Sequence, residues 1–377
     1  MVYVERHGAY PMSPLAASRA VLKRLRIRRP SQTQWASRGR IRFVRAPLIP
    51  LHGDPMVDRL NAITLRAVLS VAVPGKLQDA TALVTYPSAY VLRTLELVGF
   101  ETVVYDASQR FWTVPAVYGT NARRNDEAIV RLADVCSCDS LTIVEDRAAM
   151  GRKCWRMPQG VPCGFREARD DQPAHSGDDG RVAGFVGFLG DVIDWNLITG
   201  VASLLQDFDF RFYGPHEDGS IPESLPENVH LLGPVGSDDV PAMTRTFDVG
   251  LIPYVRNERT DAVFPTKLTE YIASGVRVVS TSLPDVCALK QETGGSEIGV
   301  ADGVEEFAAL VVRMARLGRL PAATVKSFCT QYSWDGLVDD FVRHLEAERT
   351  RALRCSWGQP RRAEPSPRFR WCRGKSR

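Results

Sequence analysis

Lys267 and Glu270 lie one helical turn apart, just after a proline and a polar loop, and together they could hold a phosphorylated ligand. The run Val249-Gly250-Leu251-Ile252-Pro253-Tyr254 reads as a buried strand, and Val255 to Phe264 as the loop at its carboxyl end. Pro265 is expected at the first helical position, where a missing N–H costs nothing. The free N–H groups of Thr266, Lys267 and Leu268 would then face the crevice beyond the strands, at the positive end of the helix dipole, as suits a diphosphate. At a spacing of three, Lys267 and Glu270 are roughly 60° apart around the helix. A cation for phosphate and a carboxylate for hydroxyls would project together, while Leu268, Tyr271 and Ile272 pack the other face. The same spacing also describes an ordinary i,i+3 surface ion pair, and spacing alone leaves both readings open.

The elements that must position these residues are legible as a repeated unit of short β-branched run, turn and amphipathic helix, the signature of a parallel α/β fold. In the first half, strands are expected at Val2–Glu5, Ile41–Arg45, Ala82–Thr85, Thr102–Asp106, Val135–Cys138 and Cys154–Met157. Helices are expected at Ala17–Arg26, Met56–Val73, Ala89–Val98, Asn125–Ala133 and Ser140–Ala149. Cys163 to Arg181 has no apolar period and reads as an interdomain linker. In the second half, strands are expected at Val182–Val186, Asp209–Tyr213, Val229–Leu232, Val249–Pro253 and Val276–Thr281. The matching helices are Asp194–Gln206, Asp238–Arg245, Pro265–Ser274 and Val304–Leu317. A final helix starts at Ser333-Trp334-Asp335. The expected division is a first Rossmann-like domain at 1–165, a linker at 166–181, a second Rossmann-like domain at 182–332, a helix crossing back at 333–350 and a basic, disordered tail at 351–377.

Composition sets outer bounds. The chain has 377 residues, 44% of them hydrophobic and 24% charged, which suits a globular protein of two domains. No apolar run approaches the roughly 18 residues a membrane helix needs, and Met1-Val2-Tyr3-Val4-Glu5-Arg6 is no signal peptide, so the cytosol is the expected compartment. The eight cysteines include no CxxC pair and read as free, partly buried thiols. The net charge of +4 is uneven: Arg351 to Arg377 holds nine Lys/Arg and one Glu, and Arg6 to Arg45 holds eleven Lys/Arg and no acid. That stretch can be read as peripheral contact with an anionic membrane at its inner face, or as plain solvated surface. No histidine cluster is present, so no metal and no cofactor are expected. Gly184, Gly187 and Gly190 do not match the dinucleotide fingerprint, which argues against an NAD enzyme. Nucleic acid is not an expected partner.

Five blocks in order over about 150 residues resemble the donor domain of family 4 glycosyltransferases. They are Phe185-Val186-Gly187-Phe188-Leu189-Gly190-Asp191 with Asp194-Trp195, Phe210 to Pro215, Asn228 to Val235, Phe247 to Pro253, and Phe264-Pro265-Thr266-Lys267-Leu268-Thr269-Glu270-Tyr271 running on to Gly275. The resemblance implies a GT-B fold, two Rossmann-like domains facing a cleft. It also implies transfer of a sugar from a nucleotide diphosphate with retention of configuration, as in polysaccharide or glycoconjugate synthesis. A saccharide or lipid-linked acceptor is the expected second substrate. Glu270 becomes the ribose-binding carboxylate, Lys267 a diphosphate contact, with Gly187, Thr266 and Leu268 beside them. Many relatives carry a glutamate eight positions before the ribose one; here that position is Ala262, with Asp261 beside it.

The N-terminal half resembles the acceptor domain of one branch through Val103-Val104-Tyr105-Asp106, Ala133-Asp134 and Pro158 to Pro162. Asp106, at a strand's carboxyl end, is the expected catalytic residue facing the transferred sugar, or else a loop aspartate capping a turn. Arg110 and Tyr118 have weaker claims, and Glu127 reads as a structural partner for a nearby arginine. The chain opens on what resembles the family's second strand, so the N-terminal domain is expected to lack its first. If a loop of the cleft is missing with it, activity would be weak or absent. A nucleotide-sugar epimerase and an inactive, scaffolding relative are the alternatives.

Overall fold

A computed structural model describes residues 2–4, 42–44, 46–49, 54–114, 118–167, 181–216 and 219–356. The first half begins with β1 (Val2–Val4) and β2 (Arg42–Val44), a parallel pair set apart from the other strands. There follow α1 (Pro55–Ala72), β3 (Thr81–Val84), α2 (Ala89–Val98), β4 (Thr102–Ala107), α3 (Ala122–Leu132), β5 (Val135–Cys138), α4 (Leu141–Ala149), β6 (Cys154–Arg156) and a short α5 (Cys163–Glu167). The strands β3-β4-β5-β6 form one parallel sheet in chain order. Parallel strands need crossovers, so helices cover the sheet and its strands read as continuous apolar runs. All four residues of β5 are buried accordingly.

The second half runs through β7 (Arg181–Val186), α6 (Trp195–Leu204), β8 (Phe208–Tyr213), β9 (Val229–Gly233), α7 (Val240–Thr244), β10 (Val249–Ile252) and α8 (Thr266–Ala273). It continues through β11 (Arg277–Ser280), α9 (Pro284–Glu292), β12 (Ile298–Val300), α10 (Val304–Leu317), α11 (Ala322–Gln331) and α12 (Trp334–Ser356). Its six parallel strands are ordered β12-β11-β10-β7-β8-β9. The chain therefore builds outward from β7 in one direction, then returns and builds outward from β10 in the other. The reversal between β7 and β10 is a topological switch point, where two loops diverge and leave a crevice.

Local chemistry fixes the ends of these elements. Asp54 accepts hydrogen bonds from the N–H groups of Met56 and Val57 at the start of α1, Ser88 from Val91 at α2, and Asp194 from Leu197 at α6. Phe185, Phe208, Phe210 and Phe212 are almost wholly buried under α6 and α10 and fill one face of the six-stranded sheet. Leu268, Tyr271 and Ile272 of α8 fill the other. The last helix crosses to the first sheet, where Phe341 packs against Val104 and Val135, and Trp155 stacks on His344 at 4.3 Å.

Most expected elements appear within a few residues of their predicted bounds. The expected helix Ala17–Arg26 and the tail from residue 357 lie outside the described residues. Four elements were not anticipated: α5 inside the expected linker, then α9, β12 and α11. The last helix runs on to Ser356 instead of stopping near residue 350, because nothing in Arg349 to Ser356 breaks a helix. Pro265 is the N-cap of α8, with extended backbone at φ −73° and ψ 110°, and not its first helical residue.

Candidate functional site

Two loops leave the switch point at the carboxyl ends of β7 and β10, and the first begins with Gly187. A β-carbon at Gly187 would come within 2.3 Å of Lys267 Cε and 2.5 Å of its Nζ, so the lysine's terminal atoms occupy the space that glycine leaves open. The ammonium also lies 5.1 Å from the Phe185 ring centroid, over a π face that favours a cation. Lys267 is thereby held across the mouth of β7.

Tyr271 anchors the helix that carries this lysine. Its ring passes so close to Gly250 that any β-carbon there would meet it at 2.5 Å. Its hydroxyl accepts a hydrogen bond from Val186 N at 3.1 Å, one residue before Gly187. The glycine turn and α8 are thus fixed to each other by a buried tyrosine.

Glu270 is half-buried, and burial pushes its carboxyl above the usual range, with the nearby Lys267 charge opposing that shift. Among the described residues, nothing donates a hydrogen bond to it and no cation pairs with it directly. A carboxylate kept in that condition has its hydrogen-bond acceptors unused, and desolvation without a partner costs stability. The N–H groups of Thr266 and Lys267 likewise have no partner among the described residues and point out of the helix start. Leu268 differs from expectation. Its N–H is spent on the carbonyl of Pro265 at 2.9 Å and its side chain is fully buried, because the extended Pro265 cap tightens the first turn. The start of α8 therefore offers two free donors and not three.

Asp106 belongs to a second cluster, at the carboxyl ends of β4, β5 and β6. Ser137 Oγ donates to its Oδ1 at 2.6 Å, and burial raises its pKa against that hydrogen bond. Asp139 is 6% exposed and accepts from Gln159 through Oδ2 at 2.7 Å, while Oδ1 has no partner. Burial first, then the charges of Asp106 and Asp285, push its pKa up to about 7. Asp285, at the start of α9, is fully buried and reaches across from the second half of the chain. It accepts from Leu141 N at 3.1 and 3.2 Å and from Arg156 at 2.9 Å. Thr142 Oγ1 donates to the carbonyl of Asp261 at 2.6 Å, and Trp112 Nε1 to Glu258 at 2.9 Å. These bonds tie loops of the second half of the chain to the first sheet and its neighbouring loops.

Ala262 is fully buried and packs with the core of the first sheet, and Asp261 is paired with Arg256 at 2.6 Å. No carboxylate therefore stands free at that position. Arg110 forms a bidentate pair with Asp146, both contacts 2.8 Å, and Tyr118 packs among Tyr86 and Phe111. Glu127 sits between Arg123 and Arg131, each at 3.4 Å, which is the structural role expected of it. Asp139, Arg156 and Asp285 escaped sequence reasoning. Their only sequence signal was position, at or just beyond the carboxyl ends of strands.

The family model described as Glycosyl transferases group 1 matches residues 180–316, the stretch that carries the switch point, Gly187, Lys267 and Glu270. The second half of the chain is thus similar to the group 1 glycosyltransferases, and the chain has a GT-B fold. It is 30% identical over 227 residues to TuaH of Bacillus subtilis (strain 168), a protein assigned as a teichuronic acid biosynthesis glycosyltransferase. That match covers 55% of this chain and 56% of TuaH, so the chain spans about half of that relative's length. Among solved structures, a glycosyltransferase from Rickettsia africae ESF-5 superposes with a TM-score of 0.60 at 10% identity, over 84% of this chain and 87% of that one. Sucrose-phosphate synthase from Thermosynechococcus elongatus gives 0.61 at 13% identity, over 92% of this chain and 89% of that one. At those identities the likeness is one of fold. Among the described residues, no helix is long and apolar enough to cross a membrane.

Proposed function

We propose that this chain transfers a sugar from a nucleotide-diphosphate donor to a saccharide or lipid-linked acceptor, with retention of configuration, in the synthesis of a cell-surface polymer or glycoconjugate. The observation that carries the proposal is the arrangement at the switch point. Lys267 is seated on Gly187, two free N–H groups open the helix, and an unpaired Glu270 follows one turn later. In this reading the diphosphate lies on Thr266 and Lys267, and Glu270 accepts the ribose hydroxyls. As the glycosidic bond to the diphosphate breaks, the N–H groups and the ammonium stabilise the charge that develops on the leaving group. The acceptor enters from the first half of the chain, on the side of Asp106, and its hydroxyl attacks the face from which the nucleotide departs. The donor unit is then residues 182–332 and the acceptor unit residues 1–165. No step is routed through a metal. The polymer named for TuaH supports the substrate class, not a particular sugar.

The test is a calorimetric panel of UDP, GDP, ADP and dTDP against the wild-type chain and Glu270→Ala. Saturable binding of one nucleotide, weakened at least tenfold by the substitution, is the expected result. Unchanged affinity in Glu270→Ala would remove the site from this helix. The buried Ala262, in place of a carboxylate, favours one other reading, a relative that binds nucleotide without turning it over. Binding with no nucleotide release on any saccharide acceptor would select that alternative.

A further inference from the structure

Six cysteines among the described residues form no disulfide, and two of them meet away from the residues assigned above. Cys138 ends β5 and Cys154 begins β6, adjacent parallel strands in which Cys154 is in register with Cys136 and Cys138 with Arg156. All three thiols share the sheet face that carries the core of the first unit. The diagonal pair is the close one, with Cys138 Sγ and Cys154 Sγ 3.1 Å apart. A disulfide needs about 2.05 Å, so the sulfurs must approach by about 1 Å. β6 can give that distance: it is three residues long and an edge strand, held by one neighbour only.

The two thiols differ in a way that orders the chemistry. Cys138 is fully buried, whereas Cys154 is half-buried on the sheet edge. The hydrogen bond shared with Cys138 pulls the Cys154 pKa below that of an ordinary thiol against the effect of burial, and the Arg147 guanidinium helps. The same hydrogen bond and burial push Cys138 up. The accessible sulfur is therefore also the one more readily ionised, and the thiolate is the reactive form.

We propose that Cys138 and Cys154 are a modification site that closes to a reversible disulfide, with a small disulfide such as oxidised glutathione as the oxidant. Cys154 loses its proton to water, and its thiolate attacks one sulfur of the oxidant, expelling a glutathione thiolate that takes up a proton. Cys138, once deprotonated, attacks the Cys154 sulfur of the mixed disulfide and expels the second glutathione. Two protein thiols and one oxidised glutathione become one protein disulfide and two reduced glutathiones. The bond would fasten the edge strand two residues before Arg156, whose guanidinium reaches Asp285 of the second half of the chain.

The test incubates the full chain with oxidised glutathione at pH 8, blocks remaining thiols with iodoacetamide, and maps peptides by non-reducing mass spectrometry. The expected result is a cross-link between the Cys138 and Cys154 peptides, with loss of two hydrogens, reversed by dithiothreitol. Cys138→Ser should trap a stable glutathione on Cys154, because the resolving thiol is gone. Cys154→Ser should leave Cys138 unmodified in the folded chain. The exposed Cys163 is the internal control and should take up glutathione in every variant. Cys138→Ala and Cys154→Ala repeat the comparison if a buried serine unfolds the sheet, with circular dichroism as the check on fold. A cross-link to Cys136, a persistent mixed disulfide on wild-type Cys154, or two thiols still open to alkylation while Cys163 is modified would each overturn the proposal. None of these readouts depends on a glycosyl donor, so this inference and the proposed activity can fail separately.

Discussion

Glu270 is held in a condition that its own fold disfavours. Burial raises its pKa, and Lys267 offsets the cost only in part. The ionised form is therefore penalised as pH rises through the raised value, and the penalty is absent below the ordinary carboxylate range. Glu270→Gln removes that penalty and should stabilise the chain by about 0.5–2 kcal/mol at neutral pH, a range common for substitutions that relieve functional strain. The same variant should bind nucleotide more weakly, because a neutral amide is the poorer acceptor for two ribose hydroxyls. For the wild type, affinity should fall as pH drops through the raised value, and in Glu270→Gln that dependence should be absent. Thermal unfolding and calorimetry between pH 4 and 8 read both effects, and a variant that loses stability would show the carboxylate to be structural. Gly187→Ala is the complementary case. The added methyl would occupy the place of the Lys267 ammonium and must displace it. Nucleotide affinity should fall roughly tenfold, about 1.4 kcal/mol for one lost charge contact, and the melting temperature should fall as well, because alanine is strained at the φ of 155° that Gly187 adopts. If affinity is retained, Lys267 does not need Gly187 to reach the diphosphate.

The element that shows best what sequence can and cannot reveal is α4. Its place was legible, since Ser140 to Ala149 follows a buried strand and carries an apolar face. Its cap was not, because Ser140 makes no side-chain cap bond and Leu141 N is satisfied instead by Asp285, 144 residues away. A carboxylate at a helix start complements the dipole whichever part of the chain supplies it, and no local pattern records a partner so distant. The same holds for α9 and β12. The first is a short helix of weak amphipathic pattern and the second a three-residue strand containing Gly299, so neither offers a period long enough to read. In contrast α8 and the switch-point loops were readable, because their glycines, proline and charged pair fall within a dozen or so residues of strand ends. Only the tightened first turn, and with it the loss of the Leu268 donor, needed coordinates. Asp285→Ala should remove both the α4 cap and the Arg156 pair, at a cost of about 2 kcal/mol and a melting temperature lower by about 4–8 °C. Asp285→Asn keeps one acceptor for Leu141 N and should recover part of the loss. Equal melting of wild type and Asp285→Ala would mean that the bridge between the sheets adds nothing to stability.

At the scale of the whole molecule, the two sheets are joined by more than the Asp285 bridge. Val161 N donates to the carbonyl of Tyr332 at 2.7 Å, and the chain then turns into α12 and lies along the first sheet. The four-stranded sheet is the smaller partner and buries β4 and β5 partly against Phe341, which is 9% exposed. Its stability therefore depends on a helix encoded at the far end of the chain, whereas the six-stranded sheet closes both faces with its own helices. Phe341→Ala should cost about 3 kcal/mol through lost burial and the cavity left behind. That cost should fall unevenly. Hydrogen exchange should quicken in β4, β5, β6 and α12 as the first sheet opens sub-globally, while β7, β8 and β10 keep wild-type protection. The nucleotide that binds the wild type should bind the variant with unchanged affinity, because Lys267 and Glu270 lie on the unit that does not open. Transfer to an acceptor should fall, because the Asp106 side of the cleft would be assembled for only part of the time. If exchange rises equally in both sheets, α12 is not a strap on one unit but part of a single cooperative core, and the cleft cannot open without unfolding the donor site as well.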